Sequence, residues 1–378
     1  MHLVEADRGI LYANPHPGDW AINAYFPRVV ELAPDELLCA YRRAAALYAD
    51  DGRSYMLRSV DGGRTWDDEG CVHDGSSDDR PYSYSLTSIA KLGEGGLVLA
   101  GLRLVRPRAD MPVYNAETGG SITRQSILCR SCDSGRTWSP PQPIALPAAP
   151  GAVLNAYGPV VPLDSGEWLL AFDPGKLWDD PSPLRRQVVG YLSSDEGASW
   201  SEEVAIAGTP HHDRAFWHAR VARMDDGRVM AFPWTGSVDA SAFHPLHRVV
   251  GSPDGRTWSE PESTGIPGQT NCPVDLGEGC VAIIVTVREA DEPGIYVALS
   301  RDDGLTWDLD RMVQVWNAYG QESLGVPRTD TYPASHDTIA FGAPDLIRLL
   351  DGELLGSFWA SQQNQMVCRW SRLRLMGR

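Results

Sequence analysis

An apolar run, a Leu or Met, an acidic or glycine-containing turn and a second apolar run recur six times along the chain. The copies are VVELAPDELLCAY from Val29, IAKLGEGGLVLAGL from Ile89, VVPLDSGEWLLAF from Val160, VARMDDGRVMAF from Val221, PVDLGEGCVAIIVTV from Pro273 and LIRLLDGELLGSF from Leu346. Two short apolar runs across such a turn predict a β-hairpin. The anchors Leu32, Leu92, Leu163, Met224, Leu276 and Leu349 lie 52 to 73 residues apart. Helical periodicity is nowhere sustained, so the pattern predicts an all-β chain.

A second repeat follows each of the first five hairpins: SVDGGRTW (59–66), SCDSGRTW (131–138), SSDEGASW (193–200), GSPDGRTW (251–258) and SRDDGLTW (300–307). Four fit S-x-D-x-G-x-[TS]-W, while the fourth in order has Gly251 and Pro253 where Ser and Asp are expected. The pattern describes a turn in which Asp accepts backbone N–H bonds, Gly takes a positive φ and Trp folds back as an apolar anchor. Each unit therefore holds four strands: a hairpin, then two strands joined by this turn. Six units at this period predict a six-bladed β-propeller of four-stranded antiparallel blades. One domain spans 1–378, with blades over roughly 24–75, 84–150, 154–208, 216–265, 270–315 and 338–378. The last unit is one strand short, and the N-terminal segment 1–12, MHLVEADRGILY, supplies the closing strand.

Following one blade fixes its polarity. The hairpin turns and the S-x-D-x-G turns share one face, and the long, irregular loops share the other. Those loops include RRAAALYADDGR (42–53), RLVRPRADMPVYNAETGGSITR (103–124), PHHDRAFWHAR (210–220) and WNAYGQESLGVPRTDTYPASHDTIAF (316–341). Loops this long are commonly functional.

Charge and cysteines narrow the partners. The 378 residues carry a formal charge of −17, with 37 Gly, 28 Pro and 13 Trp, and no apolar run long enough to cross a membrane as a helix. Nucleic acid and anionic membrane surfaces are therefore excluded as expected partners. MHLVEADRGILYANP lacks a secretory pattern, which makes a cytoplasmic setting the default expectation, with secretion the alternative if a leader precedes this sequence. Seven scattered cysteines do not form a disulfide framework, and Cys129-x-x-Cys132 runs straight into a repeat turn, so it reads as structural. Adjacent His211, His212 and Asp213 rarely reach one ion, so neither a metal nor another cofactor is expected.

The repeated turns on a six-unit frame resemble those of the sialidase (neuraminidase) superfamily, whose Asp boxes they match, and the resemblance covers nearly the whole chain. It implies a site on the face opposite the turns. There Arg28, in AYFPRVVEL, corresponds to the arginine that holds the substrate carboxylate, although the order of Pro and Arg differs from the family's motif. Asp51, or Asp50, corresponds to the acid/base aspartate, preceded by Arg42 and Arg43, and Arg288 stands near another carboxylate-binding arginine. Other positions depart. His218 and Trp234 stand where the family has a Glu and an Arg, Ala343 where it has the nucleophilic Tyr, and Trp359 where it has the activating Glu. Without that pair the family's covalent step is lost, unless Tyr332 or Tyr157 supplies the phenol.

These residues predict a sialidase-like protein acting on a glycan or glycoside, an acidic one included, as a glycoside hydrolase. Asp51 or Asp50 is the candidate acid and His218 a candidate base. Arg28, Arg43, Arg288, Tyr84, Tyr157, Arg220, His336 and Asp337 are candidate substrate-binding residues. Asp337 or Asp79 is a candidate second carboxylate for hydrolysis, whereas a His/Tyr pair suits a polysaccharide lyase. The rival reading is a propeller that binds a glycan or protein without catalysis. Oligomeric state is left open.

Overall fold

The computed structural model describes residues 1–93, 95–108, 110–147, 152–209, 211, 213–289, 291–318, 340–363 and 365–377. Among them strands dominate, and the sole helical segment is a single 3-10 turn at Leu309–Arg311. The chain is all-β. The first sheet is Asn23–Ala33, Glu36–Ala44, Arg53–Ser59 and Asp67–Cys71, antiparallel and in chain order. The second is Ser83–Lys91, Leu97–Leu104, Arg124–Ser131 and Gln142–Pro143, and the fifth is Asn271–Gly277, Cys280–Val287, Gly294–Ser300 and Val313–Asn317. In the last sheet Phe341–Arg348, Leu354–Gln362 and Gln365–Met376 are completed by His2–Tyr12, which pairs from His2 opposite Met376 to Tyr12 opposite Cys368.

The third and fourth units depart from an uninterrupted hairpin. In the third, the innermost strand is split into Val153–Ala156 and Val161–Pro162, both pairing Trp168–Gly175. In the fourth, Val221–Arg223 pairs Val229–Ala231, while Ala215–Trp217 joins Trp234–Gly236 and Phe243–His244 in a small separate sheet. Gly158 and Pro159 interrupt the third unit, with Gly158 at φ 90°. His218 at φ 52° interrupts the fourth. A positive φ turns the backbone out of the extended conformation, and at these two places the strand stops.

Six apolar clusters lie between sheets that follow one another in the chain. Leu38, Leu86 and Leu99 join the first to the second, Val98, Leu128 and Leu170 the second to the third, and Leu169, Phe216 and Val229 the third to the fourth. Phe232, Ile283 and Val285 join the fourth to the fifth, and Ile284, Leu354 and Phe358 the fifth to the last. Leu37, Leu57, Leu355 and Trp370 bring the last against the first.

The repeated turns make the bonds expected of them. Asp61 accepts from Thr65 N at 2.9 Å and Thr65 Oγ1 at 2.7 Å, Ser59 Oγ accepts from Gly63 N at 2.8 Å, and Trp66 Nε1 donates to Gly63 O at 2.9 Å. The same bonds to Asp recur at Asp133, Asp195 and Asp302. In GSPDGRTW the acceptor moves one residue on, to Asp254, because Pro253 occupies the usual place. The turns bond the hairpin turn of their own sheet, as in Gly62 N to Asp35 O at 2.9 Å and Asp303 N to Gly279 O at 2.8 Å, so both kinds share one face. A third-strand arginine reaches a turn carbonyl of the next sheet: Arg58 to Ser134 O, Arg130 to Glu196 O, Arg248 to Asp303 O and, from last sheet to first, Arg372 to Gly62 O.

Candidate functional site

On the innermost strands, the ladder breaks beside chemically active side chains. Phe26 takes φ 56° next to Pro27 and Arg28, Gly158 φ 90° next to Tyr157, His218 φ 52° two residues before Arg220, and Ala343 φ 45° two before Asp345. The first and last of these coincide with register shifts between Tyr25 and Arg28 and between Gly342 and Asp345. Non-glycine residues held at positive φ store strain, which clusters at functional sites.

Three arginines converge on residues 341–345. Arg28 Nη1 donates to Ala343 O at 2.5 Å, Arg288 Nη2 donates to Phe341 O at 2.5 Å, and Arg220 Nη1 lies 2.6 Å from Asp345 Oδ1. Asp345, only 3% exposed, also accepts from Val29 N at 3.1 Å, and the Cys272 thiol lies 3.5 Å from its Oδ1. Thus three guanidiniums meet a stretch carrying one carboxylate. Burial holds Arg28 below its usual pKa, and the like charge of Arg220 adds to this against the pull of Asp345. Arg220 is raised despite its burial, because Asp345 lies directly against it. The Nε atoms of Arg28 and Arg220 are buried without a hydrogen-bond partner. Buried polar groups are normally satisfied, so two such donors mark a place for a ligand or water.

A second group adjoins it. Asp173 Oδ2 sits 2.5 Å from His218 Nδ1, and the two Asp173 oxygens accept His218 N at 3.0 and 3.2 Å. The Tyr157 ring stacks on the His218 ring, centroids 4.4 Å apart and planes 21° apart, and Trp234 approaches the same imidazole at 5.9 Å. Burial pushes the Tyr157 phenol up to about 12 against the opposing pull of Arg28 and Arg220. Gly158 packs over Arg220, its position for a Cβ lying 3.7 Å from Arg220 Cγ, which ties the two groups together. With Nδ1 engaged by Asp173, His218 presents Nε2 as its free nitrogen.

The remaining predicted residues fall elsewhere or have other contacts. Both oxygens of Asp51 accept from Ala45 N, at 3.1 and 3.0 Å, and Asp50 pairs with Arg106 at 2.7 Å; both aspartates are exposed. Arg42 is buried and donates to the carbonyls of Leu47, Ala49 and Tyr84, so it shapes the Asp51 loop. Arg43 points the other way, over the rings of Tyr12 and Tyr55 at 4.1 and 4.0 Å and onto Asp68. Tyr84 is buried and donates to Asp78 Oδ2 at 2.6 Å beside His73. Asp79 pairs with Arg80 on the surface. Ala343 donates its N–H to Thr270 Oγ1 at 3.1 Å, and Trp359 is buried edge-on to Tyr25. His336, Asp337 and Tyr332 lie outside the described residues. A cleft of about 660 Å³, lined by Arg80, Tyr82, Arg103 and Arg124, lies apart from Arg28, Arg220 and His218.

No family model and no curated protein matches the chain. Solved structures do. A protein of unknown function from Dyadobacter fermentans is 19% identical and superposes over 99% of both chains with a TM-score of 0.72. The NanB sialidase of Streptococcus pneumoniae is 12% identical, covering 93% of this chain and 68% of that one with a TM-score of 0.62. Trypanosoma rangeli sialidase is 11% identical, covering 93% and 54%, with a TM-score of 0.59. The chain has a sialidase-like β-propeller fold. At these identities the likeness establishes the fold, and the site must be read from this chain's own residues.

Within that sialidase-like fold, Arg28, Arg220, Tyr157 and His218 are brought together, and Arg288 reaches the same inner strand of the last sheet. Asp173 and Asp345 complete the group and are not among the residues that the sequence singled out. Each sits in an otherwise apolar run, LLAFDPG and FGAPDLI. An acid there is rarely buried unless paired, and that is the signal that marks both.

Proposed function

We propose that this chain is a carbohydrate-active enzyme that binds an acidic sugar at the Arg28–Arg220 cluster and cleaves its glycosidic bond. The observation that carries the reading is the convergence of three guanidiniums on residues 341–345, with the buried Nε donors of Arg28 and Arg220 unsatisfied. A planar guanidinium pair matches a carboxylate. Asp173, His218 and Tyr157 supply proton-transfer groups beside it. Asp51 and Asp50, in the loop that Arg42 shapes, stand as further acids for hydrolysis, and Arg288 as an outlying substrate contact. The frame in this proposal is a closed ring of six blades with Asp-box turns, supported by the six apolar clusters and by Arg372 reaching from last sheet to first. A carbohydrate partner and a cytoplasmic setting belong to the same proposal.

A panel of sialosides, uronic-acid oligosaccharides and neutral aryl glycosides tests it. Turnover of an acidic substrate, with KM raised at least about tenfold by Arg28→Lys, is the expected result, since loss of bidentate binding costs over about 1.4 kcal/mol. Turnover confined to neutral glycosides overturns it. A non-catalytic glycan-binding propeller is the second reading, favoured by Ala343 and Trp359 standing in place of the family's nucleophile and acid. Saturable binding without turnover of any substrate would establish that alternative.

A further inference from the structure

Hydrolysis by two carboxylates requires one to act as acid and the other as base or nucleophile across the bond. The two carboxylates within this cluster are already committed. Asp345 serves Arg220 and Val29 N, and Asp173 makes three bonds to His218. What faces the arginines instead is an imidazole stacked on a phenol. Resting on the acidic-sugar reading, we propose that the cleavage is a β-elimination on a uronic-acid residue, with His218 removing the proton α to the carboxylate and Tyr157 protonating the leaving oxygen.

The geometry assigns each part. A proton α to a carboxylate is acidic enough to remove only if the carboxylate's charge is neutralised, and Arg28 and Arg220 are placed to do so with buried N–H groups left over. His218 is held by Asp173 through Nδ1, which leaves Nε2 as base. Tyr157 is pushed up by burial and keeps its proton in the resting site, which suits the acid role. The atoms balance without a co-reactant. The C–H electron pair becomes the new C=C bond as the β-carbon–oxygen bond breaks, and the departing oxygen takes the Tyr157 proton. The proton on His218 then returns to Tyr157, through solvent, before the next turnover. No water adds to either fragment, so the new end is an unsaturated uronate conjugated with its carboxylate.

The test incubates the full chain with polyuronides of different composition in ¹⁸O-water, following ultraviolet absorbance of the unsaturated product and the mass of both ends. The expected result is rising absorbance, no ¹⁸O in either fragment, and a product one water lighter than a hydrolytic one. His218→Ala and Tyr157→Phe should each lower the rate about 10²–10⁴-fold, with Tyr157→Phe keeping wild-type affinity for the polyuronide and the wild-type melting temperature. Reducing ends carrying ¹⁸O without absorbance would overturn the elimination while leaving the acidic-sugar reading intact. Elimination that survives both substitutions would overturn the assignment of the two residues. Neither cleavage nor binding of any polyuronide would overturn the inference, and turnover of sialosides in that case would still support the broader reading.

Discussion

Arg220 and Asp345 lie 2.6 Å apart with both side chains almost wholly buried, and the same carboxylate caps Val29 N. One residue of the last sheet thereby ties the inner strands of the first and fourth units. Removing one partner of a buried pair strands the other charge, at a cost of about 3–5 kcal/mol. Asp345→Leu should lower the urea midpoint accordingly, and Asp345→Leu with Arg220→Met should recover much of the loss, because a buried pair replaced by apolar groups is often neutral. Binding of an acidic sugar should stay lost in the double variant. Additive destabilisation by the two substitutions would show that they are not a pair.

The repeated turns should govern the acid limb of stability. Hydrogen bonds from the Thr137 hydroxyl and N–H, then from Ser131, hold Asp133 down to about 2, and the Ser199 hydroxyl and N–H do the same for Asp195. Asp61 also falls to about 2: its small burial acts upward and is outweighed by the Thr65 bonds. A depressed folded pKa stabilises the fold above the unfolded value, about 3.9 for Asp, and that contribution is lost as pH falls through about 2. Denaturation midpoints should therefore fall between about pH 4 and 2, and replacing Asp61, Asp133 and Asp195 by Asn should flatten that limb. An unchanged slope would mean that these carboxylates do not control it.

Glycines in the two kinds of turn should differ in tolerance. Gly135, at φ 81°, would place a Cβ 2.4 Å from Leu38 Cδ2 of the preceding sheet, whereas Gly166, at φ 84°, has nothing within 4 Å. Both alanine substitutions incur roughly 1–2 kcal/mol of left-handed strain. Only Gly135→Ala adds overpacking, about 1–3 kcal/mol more. Equal shifts in denaturation midpoint would contradict the packing of this turn onto the neighbouring sheet.

The frame was legible because it repeats: each hairpin and turn is a local pattern whose side chains bond within a few residues. The site was legible only in part because its contacts are long-range and arise where the pattern fails. Arg42 and Arg43 show the difficulty. They are adjacent on one strand, so their side chains leave opposite faces, one into the Asp51 loop and one onto Tyr12 and Tyr55. Sequence alone does not say which face meets a ligand. Likewise His218 reads as a strand residue until its positive φ turns it onto Asp173, 45 positions away.

The N-terminal strand should be as important to stability as the hairpins. Leu3 and Leu11 are 7% and 5% exposed, and they enter different clusters, Leu3 between the fifth and last sheets and Leu11 between the last and first. Val4, between them in the same strand, is 42% exposed. Leu11→Ala and Leu3→Ala should each cost about 2–5 kcal/mol, while Val4→Ala should stay within about 0.5 kcal/mol. Deleting residues 1–12 would leave Gln365–Met376 as an unpaired edge, with Leu373 and Trp370 losing their cover, and such edges recruit other chains. The truncated chain should therefore sediment as aggregates where the full chain does not. Equal costs at Leu11 and Val4, measured by urea denaturation, would show that the strand is not docked against the two neighbouring sheets.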